Sequence, residues 1–185
     1  DPTCLVPGRV WAPQSTESSF LPHLFTEQEI RILLDAAPRL RHAPLRPAAT
    51  RAMILVLYCT GLRLGEAIRM RDADVDLNEA VFFVRESKGR SRFVPFGRDL
   101  VDEMRMYLAV RARVLGDAHC THFLVQPDGR PISILSASCT LRRMMRQAGF
   151  KPPRGREGPR PYDLRHTFAV ERLTRWHREG ADVNA

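Results

Sequence analysis

Lysine is nearly missing from this chain. Only Lys88 and Lys151 occur, and every other Lys/Arg position is arginine. Arginine presents a fixed cationic fork suited to phosphate, whereas a lysine ammonium gives up its proton when its surroundings lower its pKa. Cysteine is sparse too. Cys4, Cys59, Cys120 and Cys139 lie far apart with no Cys-x-x-Cys pair, which gives no support for zinc or a disulfide framework and fits a reducing cytoplasm. Cys59 closes an apolar stretch and reads as a small core residue. No apolar run approaches the roughly 18 residues that span a bilayer. The longest, Ala52 to Cys59, suits a buried helix, so no membrane partner is expected. A Gly-Lys-Ser/Thr phosphate loop and an acidic metal cluster are also absent, so neither a cofactor nor a metal is expected. The chain opens at Asp1 with no charged-then-apolar leader and is expected to be one piece of a longer protein without a signal peptide.

What is present is positive charge. Lys+Arg total 29 against 21 acidic residues, a net charge of +8 over 185 residues, with 44% hydrophobic residues to build a core. Such a balance favours a polyanionic partner, because each neutralised phosphate releases condensed counterions. An arginine-rich composition without a polyanion is the other reading of charge alone.

Residues 1–22 carry Pro2, Pro7, Pro13 and Pro22 among Ser and Gly without periodicity, the composition of a linker. Order is expected to begin at Thr26, whose Glu29 three residues on completes a capping box. Ile30, Leu33 and Leu34 give the following helix its apolar stripe. A second helix is expected from Pro47 to Thr60, stopped by Gly61, and a short third from Leu64 to Met70. The period then changes to two: Ala80–Arg85 and Arg92–Phe96 read as strands around a hairpin tip at Ser87-Lys88-Gly89-Arg90. Helix returns from Arg98 to Val114, with Leu100, Met104, Tyr107, Leu108 and Val114 inward. Phe123–Gln126 is a candidate third strand, closed by the turn Pro127-Asp128-Gly129-Arg130. Helices follow over Ser136–Gly149 and from Tyr162 to Glu179. The expected class is α+β, mainly helical, with one small antiparallel three-stranded sheet.

Three segments carry chemistry: Thr60-Gly61-Leu62-Arg63-Leu64-Gly65-Glu66, Glu86-Ser87-Lys88-Gly89-Arg90-Ser91-Arg92, and Pro161-Tyr162-Asp163-Leu164-Arg165-His166-Thr167-Phe168-Ala169. Each has an ordinary explanation alone. Arg63 can pair with Glu66 at i+3, the hairpin can be a solvated basic turn, and Asp163 suits a helix N-terminus. Their order and spacing are more specific. Gly-Leu-Arg after a core helix, a lysine hairpin about 25 residues later, and Asp-Leu-Arg-His-Thr-Phe-Ala opening a late helix resemble the catalytic domain of the tyrosine recombinases, the phage integrase family.

The resemblance covers roughly residues 20–185 and implies the family's chemistry. A tyrosine hydroxyl attacks a DNA phosphodiester, giving a 3′-phosphotyrosyl link and a free 5′-hydroxyl. Arg63 and Arg165 match the two arginines that hold the phosphoryl charge, and Lys88 the hairpin lysine that protonates the leaving oxygen. Glu66 matches the acidic position after the first arginine, and His166 the histidine that follows the second, read here as structural. Tyr162 stands where the family usually has histidine and takes a place among the candidate catalytic residues. Neither the further His/Trp position nor the nucleophilic tyrosine is found before Ala185, and Tyr58 and Tyr107 read as packing residues. Residues 23–185 are thus expected to be a catalytic domain lacking its carboxy-terminal end, inactive as a fragment, behind a linker that follows an absent amino-terminal DNA-clamping domain. Arg90, Arg92, Arg142, Arg143, Arg146, Lys151, Arg154, Arg156 and Arg160 are candidate DNA contacts. The expected partner is double-stranded DNA, with a homotetramer on DNA for the full-length protein, a monomer for this fragment, and a location at the bacterial nucleoid. A type IB topoisomerase and a catalytically inactive DNA-binding regulator are the competing readings.

Overall fold

A computed structural model describes residues 21–40, 44–87, 89–116, 120–155 and 157–180. The first described helix, α1 (Glu27–Ala36), starts where the capping box places it: the Glu29 amide donates to Thr26 Oγ1 at 3.2 Å, and the Thr26 amide donates to Glu29 Oε2 at 2.8 Å. Two otherwise orphaned donors are satisfied together. Ile30, Leu33 and Ala36 are its buried face. Just upstream, Phe25 is buried and its amide donates to Thr167 Oγ1 at 2.9 Å, so the entry of the chain is stitched to its last helix.

The centre of the molecule is α2 (Leu45–Thr60), whose buried residues include Ala49, Ala52, Met53, Ile54, Val56 and Leu57. An apolar helix of this kind, wet on little of its surface, must be surrounded by other elements. It packs against α3 (Leu64–Arg69), α4 (Arg98–Leu115), α5 (Ile134–Gln147) and α6 (Asp163–Arg178). Leu100, Val101, Met104 and Tyr107 form the buried stripe of α4, and Arg51 of α2 forks onto Glu103 of α4 at 2.9 and 2.5 Å. Cys59, read as a core residue, is exposed instead. It opens into a groove between α2 and α6 lined by Tyr58, Phe168 and Glu171.

A three-stranded antiparallel sheet in the order β1-β2-β3 flanks the helices, built from β1 (Val75–Asp76), β2 (Val81–Ser87) and β3 (Arg90–Pro95). Phe82 pairs with Val94 and Val84 with Arg92, and the register shifts between Val84 and Ser87. The sheet has the expected size but a different third strand. Phe123, Leu124 and Val125 are buried, yet that stretch makes only isolated bridges, His122 with Arg71 and Val125 with Pro131. Its polar backbone is satisfied elsewhere. The Tyr107 hydroxyl donates to the Phe123 carbonyl at 2.8 Å and accepts from the Val125 amide at 3.2 Å, and the Phe123 amide donates to Met70 O at 2.9 Å. An apolar run predicts burial; a ladder needs a partner strand, and here a tyrosine hydroxyl and single backbone contacts serve instead. None of the described helices is long and apolar enough to cross a membrane.

At the C-cap of α2, Gly61 adopts a left-handed backbone with φ 63°. A Cβ built there would lie 2.3 Å from Cδ1 of Phe168 on α6. Gly61→Ala is expected to lose about 1–2 kcal/mol from the backbone conformation alone and more from displacement of the Phe168 ring, read as a lower urea midpoint with an unchanged m-value.

Candidate active site

Arg63 sits at the N-cap of α3, directly after the Gly61 cap that ends α2. A helix stop followed within three residues by a helix start leaves little freedom in where its side chain leaves the backbone. Glu66 then fastens it: Oε2 accepts from the Arg63 amide at 2.8 Å and Oε1 from Arg63 Nη1 at 3.0 Å. The i+3 pairing foreseen from spacing is present. It does not exhaust the carboxylate. Arg92, from β3, donates Nη2 to Glu66 Oε2 at 2.9 Å and Nη1 to Oε1 at 3.4 Å. The Glu66 side chain is only 2% exposed, against 36% for Arg63 and 39% for Arg92. One buried anion therefore holds two half-exposed cations, which satisfies its lone pairs as a desolvated carboxylate requires.

Arg165 comes from the far end of the chain. Its Nη1 donates to the carbonyl of Gly61, 104 positions earlier, so the third motif is delivered to the first. The position of α6 that makes this contact is set by buried groups. Asp163, fully buried at the first turn, accepts from the Arg160 amide at 2.8 Å and lies 3.9 Å from Arg160 Nε. Thr167 donates to the Asp163 carbonyl at 2.9 Å while accepting from Phe25. Leu164 is fully buried beside them. Tyr162 precedes this helix, 47% exposed, with its ring edge-on to His166 at 4.7 Å. The two rings form an edge-to-face pair.

The hairpin is anchored at both strands. Arg85 of β2 pairs with the buried Asp74 at 2.6 Å as Arg92 of β3 pairs with Glu66. Arg90 is exposed near the tip. Lys88 and Arg156 lie outside the described residues.

The remaining cations divide by environment. Arg142, Arg143 and Arg154 are exposed. Arg146 is half-buried and donates to the carbonyls of Pro152 at 3.2 Å and Gly155 at 3.3 Å. Lys151, taken from sequence as a DNA contact, is buried, and its ammonium donates to the carbonyls of Glu157 and Gly158. Burial first, then repulsion from Arg146 and Arg142, lowers its pKa. The reason for the difference is local: the loop turns back on itself and offers carbonyls to a cation with no room to reach solvent. Arg92, Arg146, Arg160 and Lys151, candidate DNA contacts by sequence, have partners within the protein. For Arg92 a signal was available, since it falls in phase with Val94 on the half-buried positions of β3. For Lys151 there was none.

No group of three metal-ligating side chains is found among the described residues. The chemistry these residues offer is that of guanidinium groups: Arg63 at the start of α3, and Arg165 on α6, whose Nη1 reaches the Gly61 carbonyl.

A family model described as the phage integrase family matches residues 23–185. The putative integrase/recombinase y4rE of Sinorhizobium fredii is 32% identical over 166 residues, 89% of this chain and 53% of that protein. Tyrosine recombinase XerC of Staphylococcus saprophyticus is 30% identical over 164 residues, 89% of this chain and 51% of its own length. The chain spans about half the length of the curated relatives it matches. Among solved structures, the XerA recombinase is similar with a TM-score of 0.68 and 27% identity over 89% of this chain and 54% of that one. The lambda integrase catalytic core shares the fold, with a TM-score of 0.61 at 19% identity, over 82% of this chain and 83% of that one. The contact of Arg165 with Gly61, two residues before Arg63, and a family match that runs through all three motifs have one explanation: the chain belongs to the phage integrase family, the tyrosine recombinases.

Proposed function

We propose that these residues form the phosphate-holding part of a site-specific DNA recombinase that cleaves and rejoins strands through a 3′-phosphotyrosyl intermediate. The observation that carries this reading is the Arg165 contact to the Gly61 carbonyl, which brings the second motif arginine to the residue two before Arg63. Two guanidinium groups at one junction suit the non-bridging oxygens of a phosphodiester, whose negative charge grows as a fifth oxygen bonds to phosphorus.

In the proposed step a tyrosine oxygen attacks phosphorus, the bond from phosphorus to the 5′-oxygen breaks, and the tyrosine proton passes to a base or solvent. The departing 5′-oxygen takes up a proton, for which Lys88 is the proposed donor. The bond energy stays in the phosphotyrosyl link, so religation by a 5′-hydroxyl reverses the step without ATP.

The attacking tyrosine is proposed to come from beyond the three in these residues. Tyr107 is buried, hydrogen-bonded at its hydroxyl, and pushed up to about 12 chiefly by burial. Tyr58 is half-buried, shares its hydroxyl with Glu171 at 3.2 Å, and is likewise pushed up to about 12, by burial and then by that carboxylate. Tyr162 is accessible but stands at the helix start beside Arg165, suited to hydrogen-bond a phosphate oxygen. The proposed partner is double-stranded DNA. The structural relatives include a XerH site-specific recombinase bound to difH substrate and a lambda integrase tetramer bound to a Holliday junction, which supports the proposal of a tetramer on DNA for the full-length protein. Arg90, Arg142, Arg143 and Arg154 are the proposed phosphate contacts around the site.

Two measurements test the reading. With the full-length protein and a suicide DNA substrate, Arg63→Ala and Arg165→Ala are each expected to slow covalent adduct formation about 10²–10³-fold while DNA binding persists. The trapped peptide should contain a tyrosine other than Tyr58, Tyr107 or Tyr162; attachment at Tyr162 would show that the nucleophile lies within these residues. Separately, replacing Arg142, Arg143 and Arg154 together by alanine should flatten the slope of log affinity against log salt by about 0.9 per lost phosphate contact. An unchanged slope assigns those arginines to the solvent.

A further inference from the structure

Arg92 occupies an unusual place for a hairpin cation. It lies on a strand, in phase with Val94, opposite the buried Val84, yet it ends on the same carboxylate that orients Arg63. Its two-pronged contact uses both oxygens of Glu66, each of which also accepts from Arg63. A carboxylate held by Arg63 alone would place its whole charge on that guanidinium. Arg92 draws on the same charge through its own two-pronged contact with Glu66.

We propose that Arg92 is a positioning residue for Arg63: through Glu66 it fixes the orientation of the Arg63 guanidinium and preserves its charge for the phosphate. The proposal rests on the reading of Arg63 as a phosphate-holding arginine and extends it to a residue on another element. Arg92 acts without touching DNA. The geometry explains why arginine, not lysine, stands at this position, since only a planar fork reaches both carboxylate oxygens at once. It also links β3 to α3 at the point where both flank the site, so the hairpin and the first motif keep a common frame.

The test is a double-mutant cycle in the full-length protein, reading the rate of covalent adduct formation on suicide DNA. Arg92→Gln is expected to slow it roughly tenfold to a hundredfold, the scale of a misplaced catalytic group, with the salt slope of DNA binding unchanged. Arg92→Lys should recover part of the rate. In an Arg63→Ala background Arg92→Gln should cost nothing further, because the group it orients is gone. Multiplying losses would show that Arg92 contacts phosphate on its own and would overturn the proposal, as would an unaltered rate in both Arg92 variants. A second readout is independent of cleavage. In spectra of protein labelled with ¹⁵N-arginine, the Arg63 Nε–H signal, identified by its loss in Arg63→Ala, should move in Arg92→Gln and less in Arg92→Lys. A signal that stays in place refutes the positioning role. If the parent protein fails to cleave DNA, the recombinase reading falls, and the spectra still decide whether Arg92 orients Arg63.

Discussion

The site depends on how closely α6 can approach the end of α2, and that distance is set at Gly61. A residue with no side chain in a left-handed turn lets the Phe168 ring lie against its backbone and leaves its carbonyl open to Arg165. A larger residue would move α6 outward and carry Arg165 with it. The helix stop is therefore also a docking surface. Ending α2, starting α3 at Arg63 and receiving α6 all happen within a few bonds. Buried Asp163 and Thr167, with Thr167 tied to Phe25, then hold α6 against sliding along that surface.

The second organising theme is how an arginine-rich chain disposes of its charge. Buried or half-buried carboxylates capture particular arginines: Glu66 takes Arg63 and Arg92, Asp74 takes Arg85, Glu103 takes Arg51, and Asp72 takes Arg111. A desolvated carboxylate needs its lone pairs satisfied, and guanidinium donors supply the bonds. These pairs join elements distant in sequence, α2 to α4 and α3 to β3 among them. The net positive charge is what remains after this pairing, and it is carried by residues such as Arg90, Arg142, Arg143 and Arg154. Arginines with a carboxylate partner and those without look alike in the sequence, and Arg63 shows that a carboxylate partner does not remove an arginine from the candidate site.

Much of the layout was legible before any coordinates. The capping box at Thr26 and Glu29, the glycine stop at Gly61, the long amphipathic α4 and the start of α6 near Tyr162 all follow from local rules of propensity, capping and period. Those rules act over three or four residues, so they survive any tertiary arrangement. The differences come from contacts that rules of capping and period do not describe. Phe123–Gln126 has the composition of a strand but bonds to a tyrosine hydroxyl. Cys59 ends an apolar stretch yet opens into a groove. Lys151, a candidate DNA contact by sequence, is buried against the carbonyls of Glu157 and Gly158.

By itself the sequence determined the chemistry available: the two motif arginines, the acidic residue between them and the hairpin, and the family to which they belong. It did so because motif spacing along a helix start or a turn is a local property. Only the tertiary structure decided which of these groups share a site. The meeting of Arg165 with Gly61 and the sharing of Glu66 between Arg63 and Arg92 are contacts across different elements. They exist because a bare glycine permits close approach and because one buried charge cannot be left half-satisfied.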